Sequence, residues 1–346
     1  MPRLRRVDCS APGILRRRAG RGFAYYDDGE RVSDPEVLSR IRALAIPPAW
    51  RDVWICPWPN GHIQAVGTDA AGRKQYRYHD AWRLRRDQEK FDHMLEFARA
   101  LPAMRSALAQ HLKGEELSRP RVLACATRLL DIGFFRIGTE GYAEQNQSYG
   151  LATIQKRHVR LADGMVTFDY VAKGGKRRVQ ALVDPDVFVV VQALKQRRAG
   201  GPELLAYRDG RRWADVRSED INAFVKEVTG GEFTAKDFRT WNATVLAAVS
   251  LAVAASQAGS ATARKRAVAW AMREVAQYLG NTPAVCRASY VDPRVIDRYH
   301  AGVTISEALH RLGEGAAFGQ LSTQGHMEQA VLELLDEAPA ASVSVA

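Results

Sequence analysis

The stretch HVRLADGMVTFDYVAKGGKRRVQAL, residues 158–182, contains two turn sequences between three short strand-like runs. The turns are Ala-Asp-Gly and Lys-Gly-Gly-Lys, and glycine-containing turns of this kind connect antiparallel strands. The stretch therefore predicts a three-stranded antiparallel sheet with strands at 158–161, 165–171 and 177–182. Because the sequence on both sides of it is mainly helical in pattern, we expect this sheet inside a mainly helical domain.

The first 80 or so residues have a different pattern. Runs of strand-forming residues, separated by turns rich in Gly, Asp and Pro, predict strands at 22–26, 53–56, 62–68 and 75–78. One short helix, capped by Ser33 or Asp34, is expected among them. The fold class is therefore α+β, with a basic arm without regular structure (1–20), a small β-rich domain (21–90), a larger helical domain (91–337) and a frayed tail (338–346).

The helical domain is divided by its prolines. One helix is expected to end before Pro102 and a second to begin there, since proline removes a helix hydrogen bond. Helices are expected to dominate again from 184 to about 310. The most apolar run, residues 243–255, is too short for a membrane span and contains Thr244 and Ser250, so it predicts a buried core helix.

The charge distribution indicates a polyanionic partner. The 346 residues carry a net charge of +11, and residues 301–346 carry −5, which leaves +16 on residues 1–300. A basic body of this kind is typical of proteins that bind nucleic acid. The four cysteines form no CxxC pair and no metal-ligand spacing, and no secretory signal is visible. We therefore expect a protein of the reducing cytoplasm without disulfides or structural zinc.

Several basic residues occupy positions suited to phosphate. Lys236 and Arg239 lie three residues apart at the predicted start of the apolar helix, where a helix N-terminus attracts anions. Lys173 lies at the Gly-Gly turn, and Arg136 follows two phenylalanines at a helix end. Each of these residues could instead serve only in ion pairs or on a solvated surface.

The segment GRKQYRYH, residues 72–79, alternates bases, aromatic residues and an amide. On a strand, Gln75 lies on one face, and Tyr76 and Tyr78 lie on the other. Glutamine can read adenine edges and tyrosine can stack on bases, although a half-buried strand of a small sheet would show the same pattern.

Tyr290 follows a helix end and a new helix start. Gly280 is a helix C-cap signal, and Thr282 followed by proline is typical of an N-cap. A short helix would then present Tyr290 about two turns later. A tyrosine in such a place usually serves packing only.

In this order the motifs resemble those of the type IB DNA topoisomerases, in particular the small poxvirus-like enzymes of bacteria. The resemblance covers about residues 22–299. It is carried by GRKQYRY (72–78), FFRIG (134–138), SYGLATI (148–154), the KGGK turn (173–176), KDFRTWNAT (236–244) and LGNTPAVCRASY (279–290).

The resemblance implies an enzyme that relaxes supercoiled duplex DNA through a transient 3′-phosphotyrosyl link and religation. Tyr290 would be the nucleophile, Arg136 and Arg239 would hold the phosphoryl oxygens, and Lys173 would be the general acid. Asn281 stands where many members carry histidine, and an amide can donate a hydrogen bond but cannot carry a proton. No ATP, metal or other cofactor is implied.

The resemblance also implies a monomeric clamp around the duplex, located in the cytoplasm with the nucleoid and without a membrane or nucleotide partner. The DNA contacts it implies are Gln75, Tyr76, Tyr78, Tyr142 and Lys236. Two alternatives remain at this point. A tyrosine recombinase shares the chemistry but favours histidine at position 236, and a non-enzymatic architectural DNA-binding protein would explain the charge alone.

Overall fold

The structure is a computed structural model that describes residues 3–256, 259–311 and 323–336. The chain divides into two compact units, Met1–Asp92 and His93–Ala346. The predicted tail at 338–346 lies outside the described residues.

The N-terminal unit is built on one antiparallel sheet. Its strands are β1 (Ile14–Ala19), β2 (Gly22–Asp27), β3 (Glu30–Arg31), β4 (Arg51–Ile55), β5 (Ile63–Thr68) and β6 (Lys74–Tyr78), in the order β3-β2-β1-β4-β5-β6. Helix α1 (Pro35–Ala43) begins at the predicted cap, because the Asp34 side chain accepts hydrogen bonds from the Glu36 and Val37 amides. The predicted strands and helix are confirmed to within two residues.

Side chains of alternating strand residues form apolar clusters on the two faces of this sheet. Val53 and Ile55 of β4 pack with Ile14, Ile41 and Ala65. Trp54, between them in the sequence, packs with Cys56 and Val66 on the other face. This alternation is what a strand period of two requires when both faces are covered.

The prediction of an arm over residues 1–20 is wrong for its second half. Residues Ile14–Ala19 form β1, which pairs with both β2 and β4 inside the sheet. Buried Ile14 anchors the strand, and Arg16 donates hydrogen bonds to the Pro47 and Trp50 carbonyls. The arginine run therefore lies on a paired strand, because backbone pairing with β2 and β4 outweighs its polar composition.

The C-terminal unit contains most of the helices and two small sheets. The helices are α2 (Asp80–Leu112, shared with the first unit), α3 (Arg119–Gly133), α4 (Glu140–Asn146), α5 (Pro185–Gln196), α6 (Ser218–Thr229), α7 (Ala235–Ala255), α8 (Ala261–Leu279), α9 (Pro283–Ser289), α10 (Pro293–His300) and α11 (His326–Asp336). The sheets are β7 (Val159–Ala162), β8 (Met165–Ala172) and β9 (Lys176–Val183), and the hairpin β10 (Ala206–Asp209) with β11 (Arg212–Asp215).

The three-stranded sheet is confirmed. Strands β7, β8 and β9 pair in sequence order, and β8 and β9 remain in register up to Ala172 opposite Lys176. The turn between them is formed by Gly174 at φ 81° and Gly175 at φ 73°. These left-handed conformations favour glycine, and they place Lys173 at the end of the hairpin.

The predicted helix break at Pro102 is wrong. Helix α2 continues through Pro102, with Leu101 before it and Met104 and Leu108 after it all buried. Tertiary packing thus compensates for the hydrogen bond lost at proline. Helices dominate residues 184–310 as predicted, and the hairpin β10–β11 between α5 and α6 was missed because its four-residue strands are too short to show a period.

Helix α7 forms the centre of the C-terminal unit. It is long and apolar enough to cross a membrane by composition, but 78% of its most apolar window is buried within the protein. This burial agrees with the prediction of a core helix at 243–255. The helix begins with a reciprocal cap in which the Asp237 carboxylate accepts hydrogen bonds from the Thr234 amide and hydroxyl.

Helix α11 is attached to the core by a buried ion-pair cluster. Arg105 donates to both carboxylate oxygens of Glu328, at 2.6 and 2.9 Å, and to both of Asp131, at 2.9 Å each. Trp241 of α7 also donates to Glu328, at 2.9 Å. Removing one charged partner from such a cluster leaves a buried charge uncompensated.

We predict that Glu328→Gln lowers the free energy of unfolding by about 3 kcal/mol, because the variant leaves Arg105 with half of its negative partners. The matched control is Asp336→Asn on the same helix, which breaks an exposed pair with Arg99 and should cost about 1 kcal/mol or less. Urea denaturation measures both values. Equal losses in the two variants would contradict the role given to the buried cluster.

Candidate active site

The loop after α3 carries Arg136 and is held by a close backbone contact. The Leu151 amide donates to the Arg136 carbonyl at 2.8 Å, and the Ala152 amide donates to the Ile137 carbonyl at 2.7 Å. A Cβ on Gly138, at φ +74°, would lie 2.7 Å from the Gly150 Cα, so no side chain fits there. The FFRIG and SYGLATI motifs therefore contact each other, and this contact fixes the backbone of Arg136.

Arg239 lies on the second turn of α7 and is buried, with 4% of its surface exposed. Its guanidinium donates to the Leu279 carbonyl at 2.8 Å and to the Phe134 carbonyl. Asp237 is occupied by the cap of α7, so it is not the partner of Arg239. Among its described contacts the guanidinium has no carboxylate, and its Nε is buried without a hydrogen-bond partner.

The turn from α8 to α9 positions Asn281 and Tyr290. Gly280 caps α8 at φ 62°, and the Thr282 side chain accepts a hydrogen bond from the Val285 amide at the start of α9. The predicted C-cap and N-cap are thus confirmed. Tyr290 lies at the C-cap of α9, where its amide donates to the Cys286 carbonyl at 2.9 Å.

The structure brings these three segments together. Arg136 donates a hydrogen bond to the Asn281 side-chain oxygen. The Arg239 guanidinium lies 5.2 Å from the centroid of the Tyr290 ring. Residues separated by more than 100 positions in the sequence therefore form one cluster.

The cations change the acidity of Tyr290. Burial raises the pKa of the phenol, but the positive charges of Arg239 and Arg136 outweigh burial, so the pKa lies below its ordinary value of 10.0. Burial and the charge of Arg136 lower the pKa of Arg239 to about 10. The shift of Arg239 follows from burial beside a like charge, and the shift of Tyr290 follows from two cations beside its phenol. A bound anion would reduce both shifts.

A cavity of about 290 Å³ lies at this cluster. The cavity is lined by Arg136, Lys173, Lys236, Arg239 and Tyr290, and no aspartate or glutamate of the described residues lines it. Asn281 is connected to the cavity through the hydrogen bond that its side-chain oxygen accepts from Arg136. Four cations without a carboxylate form a site for an anion with several oxygens.

Unpartnered polar atoms support the same conclusion. Within the described part of the chain, Arg239 Nε, Asn281 Nδ2 and Ser148 Oγ are buried and have no hydrogen-bond partner. Buried donors of this kind are costly unless a ligand completes them. Ser148 was not singled out from the sequence, although it lies in the SYGLATI motif. Among the described residues, no group of three or more His, Cys, Asp or Glu could hold a metal ion.

Comparison with known protein families identifies the family of the chain that carries this cluster. Residues 79–316 match the family model for the catalytic core of eukaryotic DNA topoisomerase I. Residues 22–69 match the model for the N-terminal domain of bacterial DNA topoisomerase IB. This chain belongs to the type IB DNA topoisomerase family. It is accordingly an isomerase that acts on DNA, and neither the recombinase nor the architectural protein is needed to explain it.

Individual type IB topoisomerases are similar over most of the chain. The DNA topoisomerase 1B of Acanthamoeba polyphaga mimivirus is 32% identical over 299 residues, which cover 83% of this chain and 87% of the relative. The DNA topoisomerase 1B of Vaccinia virus (strain Copenhagen) is 18% identical over 287 residues, covering 79% and 88%. DNA topoisomerase 1 of Schizosaccharomyces pombe is 24% identical over 248 residues, covering 69% and 28%.

In this topoisomerase the expected DNA-binding residues of the N-terminal unit lie on the edge strand β6. The rings of Tyr76 and Tyr78 are stacked with centroids 6.0 Å apart, and 42% of Tyr76 is exposed. The Gln75 side chain donates a hydrogen bond to Asp69 at 2.9 Å, which holds it on the face of β6 opposite to the two tyrosines.

Two further expected DNA contacts lie in the C-terminal unit. Lys236 is exposed and lines the cavity one turn before Arg239. The backbone of Tyr142 lies in α4, while its side chain lies outside the described part of the structure.

Proposed function

We propose that the cluster around Tyr290 cleaves and rejoins one DNA strand by transesterification. The Tyr290 oxygen attacks a backbone phosphorus, a phosphotyrosyl bond to the 3′ end forms, and the bond from phosphorus to the 5′-oxygen breaks. Rotation of the freed strand relaxes the supercoil. Attack by the 5′-hydroxyl then reverses the exchange, so one phosphodiester replaces another and no ATP is consumed.

The observation that carries this proposal is the cavity in which Tyr290 faces four cations, with no carboxylate among the described residues that line it. A phosphoryl transition state spreads negative charge over its oxygens, and fixed cations stabilise it without a metal. Arg136 and Arg239 suit this role because a guanidinium stays charged and can hold two oxygens. Their mutual repulsion is relieved when the phosphate enters.

The two protons have separate routes. Tyr290 loses its proton as it attacks, and the positive charges of Arg239 and Arg136 beside the phenol favour that loss. Water accepts the proton in this scheme. The 5′-oxygen is a poor leaving group that needs a proton, and Lys173, which lines the same cavity, would supply it.

Asn281 has an electrostatic role in this scheme. Its oxygen accepts from Arg136, which orients the amide so that Nδ2 remains available to a phosphate oxygen. An amide cannot shuttle a proton, so Asn281 neither takes the proton of Tyr290 nor protonates the leaving group.

We further propose that the enzyme works as a monomer in the cytoplasm, associated with the nucleoid. Duplex DNA would contact Tyr76, Tyr78 and Gln75 of β6, together with Lys236 and Tyr142. The net charge of +16 on residues 1–300 supports binding along the phosphate backbone.

We predict that the purified protein relaxes both positively and negatively supercoiled plasmids in buffer containing EDTA and no ATP. The reason is that arginines and a lysine provide the charge that a metal would otherwise supply. Gel electrophoresis of plasmid topoisomers measures the result. Activity that disappears in EDTA and returns with Mg²⁺ would contradict the proposed mechanism.

A further inference from the structure

Arg178 is a half-buried cation beside the active site that none of the proposed steps uses. It lies on β9, five residues after Lys173. Its Nε donates to the Gln180 side-chain oxygen at 2.6 Å, and its Nη2 donates to the Tyr278 carbonyl near the end of α8. Gln180 in turn donates to the Gly133 carbonyl at the end of α3.

These hydrogen bonds connect the three segments that carry the site. Gly133 lies three residues before Arg136, and Tyr278 lies three residues before Asn281. Arg178 itself belongs to the hairpin whose turn carries Lys173. One pair of side chains, Arg178 and Gln180, therefore spans the helix end before Arg136, the hairpin, and the helix end before Asn281.

We propose that Arg178 is a positioning residue that holds the Lys173 hairpin in place against the α8–α9 turn. The inference rests on the proposed role of Lys173 as general acid. Arg178 touches none of the reacting groups in this proposal. It acts by placing the Lys173 amine where the 5′-oxygen leaves.

The surroundings of Arg178 fit a positioning role. The carbonyl that it binds is at a helix C-terminus, where the helix dipole favours a cation. A Cβ on Gly280 would lie only 2.8 Å from Arg178 Nη1, so the glycine at this cap also leaves room for the guanidinium. Arginine suits the place because its planar fork can bind two acceptors in fixed directions at once.

The position of Arg178 carries a cost that a surface arginine does not. Burial and the nearby charge of Arg136 lower its pKa. Arg177, the preceding residue, is exposed on the other face of β9 and pairs with Asp169 at 2.7 and 2.8 Å. Two adjacent arginines on one strand therefore differ in surroundings, and Arg177 is a matched control.

The test compares two DNA substrates in single-turnover cleavage with saturating enzyme. One substrate has the ordinary 5′-oxygen at the cleavage site, and the other has sulfur there, which leaves without a proton. We expect Arg178→Gln to slow cleavage of the oxygen substrate by about 10²-fold, the effect of misplacing a catalytic group by about 1 Å. The sulfur substrate should be slowed far less, by about threefold or under, because it does not need Lys173.

Two further variants make the result decisive. Arg177→Gln should cut both substrates at nearly the wild-type rate. Arg178→Lys, which keeps the charge but not the fork, should lie between wild type and Arg178→Gln. The ratio of the two substrate rates is measured on one protein sample, so partial unfolding cancels from it.

Equal slowing of both substrates by Arg178→Gln would overturn the proposal, since the residue would then act on the phosphate or on folding. Wild-type rates on both substrates would overturn it as well. Lys173→Ala is measured beside it. If sulfur rescues Lys173→Ala but not Arg178→Gln, only the positioning role fails, whereas absence of rescue in Lys173→Ala overturns the general acid and the positioning role together.

Discussion

Tyr290→Phe is expected to abolish plasmid relaxation and to leave DNA binding nearly unchanged. The substitution removes one oxygen and keeps the ring that packs 5.2 Å from the Arg239 guanidinium. Without the nucleophile no covalent link to DNA can form, so the rate should fall by a factor on the order of 10⁶, or below detection. Plasmid relaxation and gel-shift binding measure the two properties.

The control for this prediction is Tyr299→Phe. Tyr299 is buried in α10, and no described residue forms a hydrogen bond with its hydroxyl, so phenylalanine should fill the same space. Its relaxation rate should match that of the unmodified protein. An active Tyr290→Phe variant, or an inactive Tyr299→Phe variant that is folded, would contradict the assignment of the nucleophile.

Lys173→Ala is expected to slow both cleavage and religation at an ordinary phosphodiester by about 10²–10⁴-fold, the usual contribution of a general acid. Sulfur in place of the bridging 5′-oxygen should restore much of the cleavage rate, because a thiolate leaves without a proton. Rapid-quench measurements of covalent complex with the two substrates test both statements.

The same hairpin turn offers a control, Lys176→Ala. Lys176 is exposed at the other end of the Gly-Gly turn and does not line the cavity with Tyr290. This variant should retain nearly full cleavage of the oxygen substrate. If Lys173→Ala cuts the sulfur substrate no better than the oxygen one, Lys173 serves only as a charge on the phosphate.

The parts of the fold that the sequence predicted are those determined by local interactions. The strand pattern around 158–182 and the caps at Gly280 and Thr282 depend on residues a few positions apart, and the structure has both. Strand β1 was missed. Its arginines resemble a loose arm, and the segment becomes a strand through its pairing with β2 and with β4, about 40 residues later.

The continuous helix α2 has a similar explanation. Pro102 signals a break in the local sequence, and only packing of residues on either side keeps the helix intact. Local signals therefore predict the type of most elements, while their ends and exceptions depend on tertiary contacts.

The order of the motifs was enough to identify the candidate site residues. Their spacing in the sequence does not indicate which of them contact one another in the folded chain. Arg136 and Asn281 are 145 positions apart and share a hydrogen bond. Arg136, Lys173, Arg239 and Tyr290, which the resemblance named, line one cavity, and their roles stay predictions. Ser148 and Arg178 were not anticipated, because their importance comes from contacts made only in the folded chain.

The most direct test of the account is to trap the covalent complex. The protein is mixed with duplex DNA labelled on either side of the cleavage site, the reaction is stopped with denaturant, and the DNA-linked peptide is identified by mass spectrometry. The account predicts one adduct, joining Tyr290 to a 3′-phosphate. An adduct on Tyr278 or Tyr299 would contradict the assignment of the nucleophile, and an adduct on a 5′-phosphate would contradict the proposed type IB cleavage chemistry.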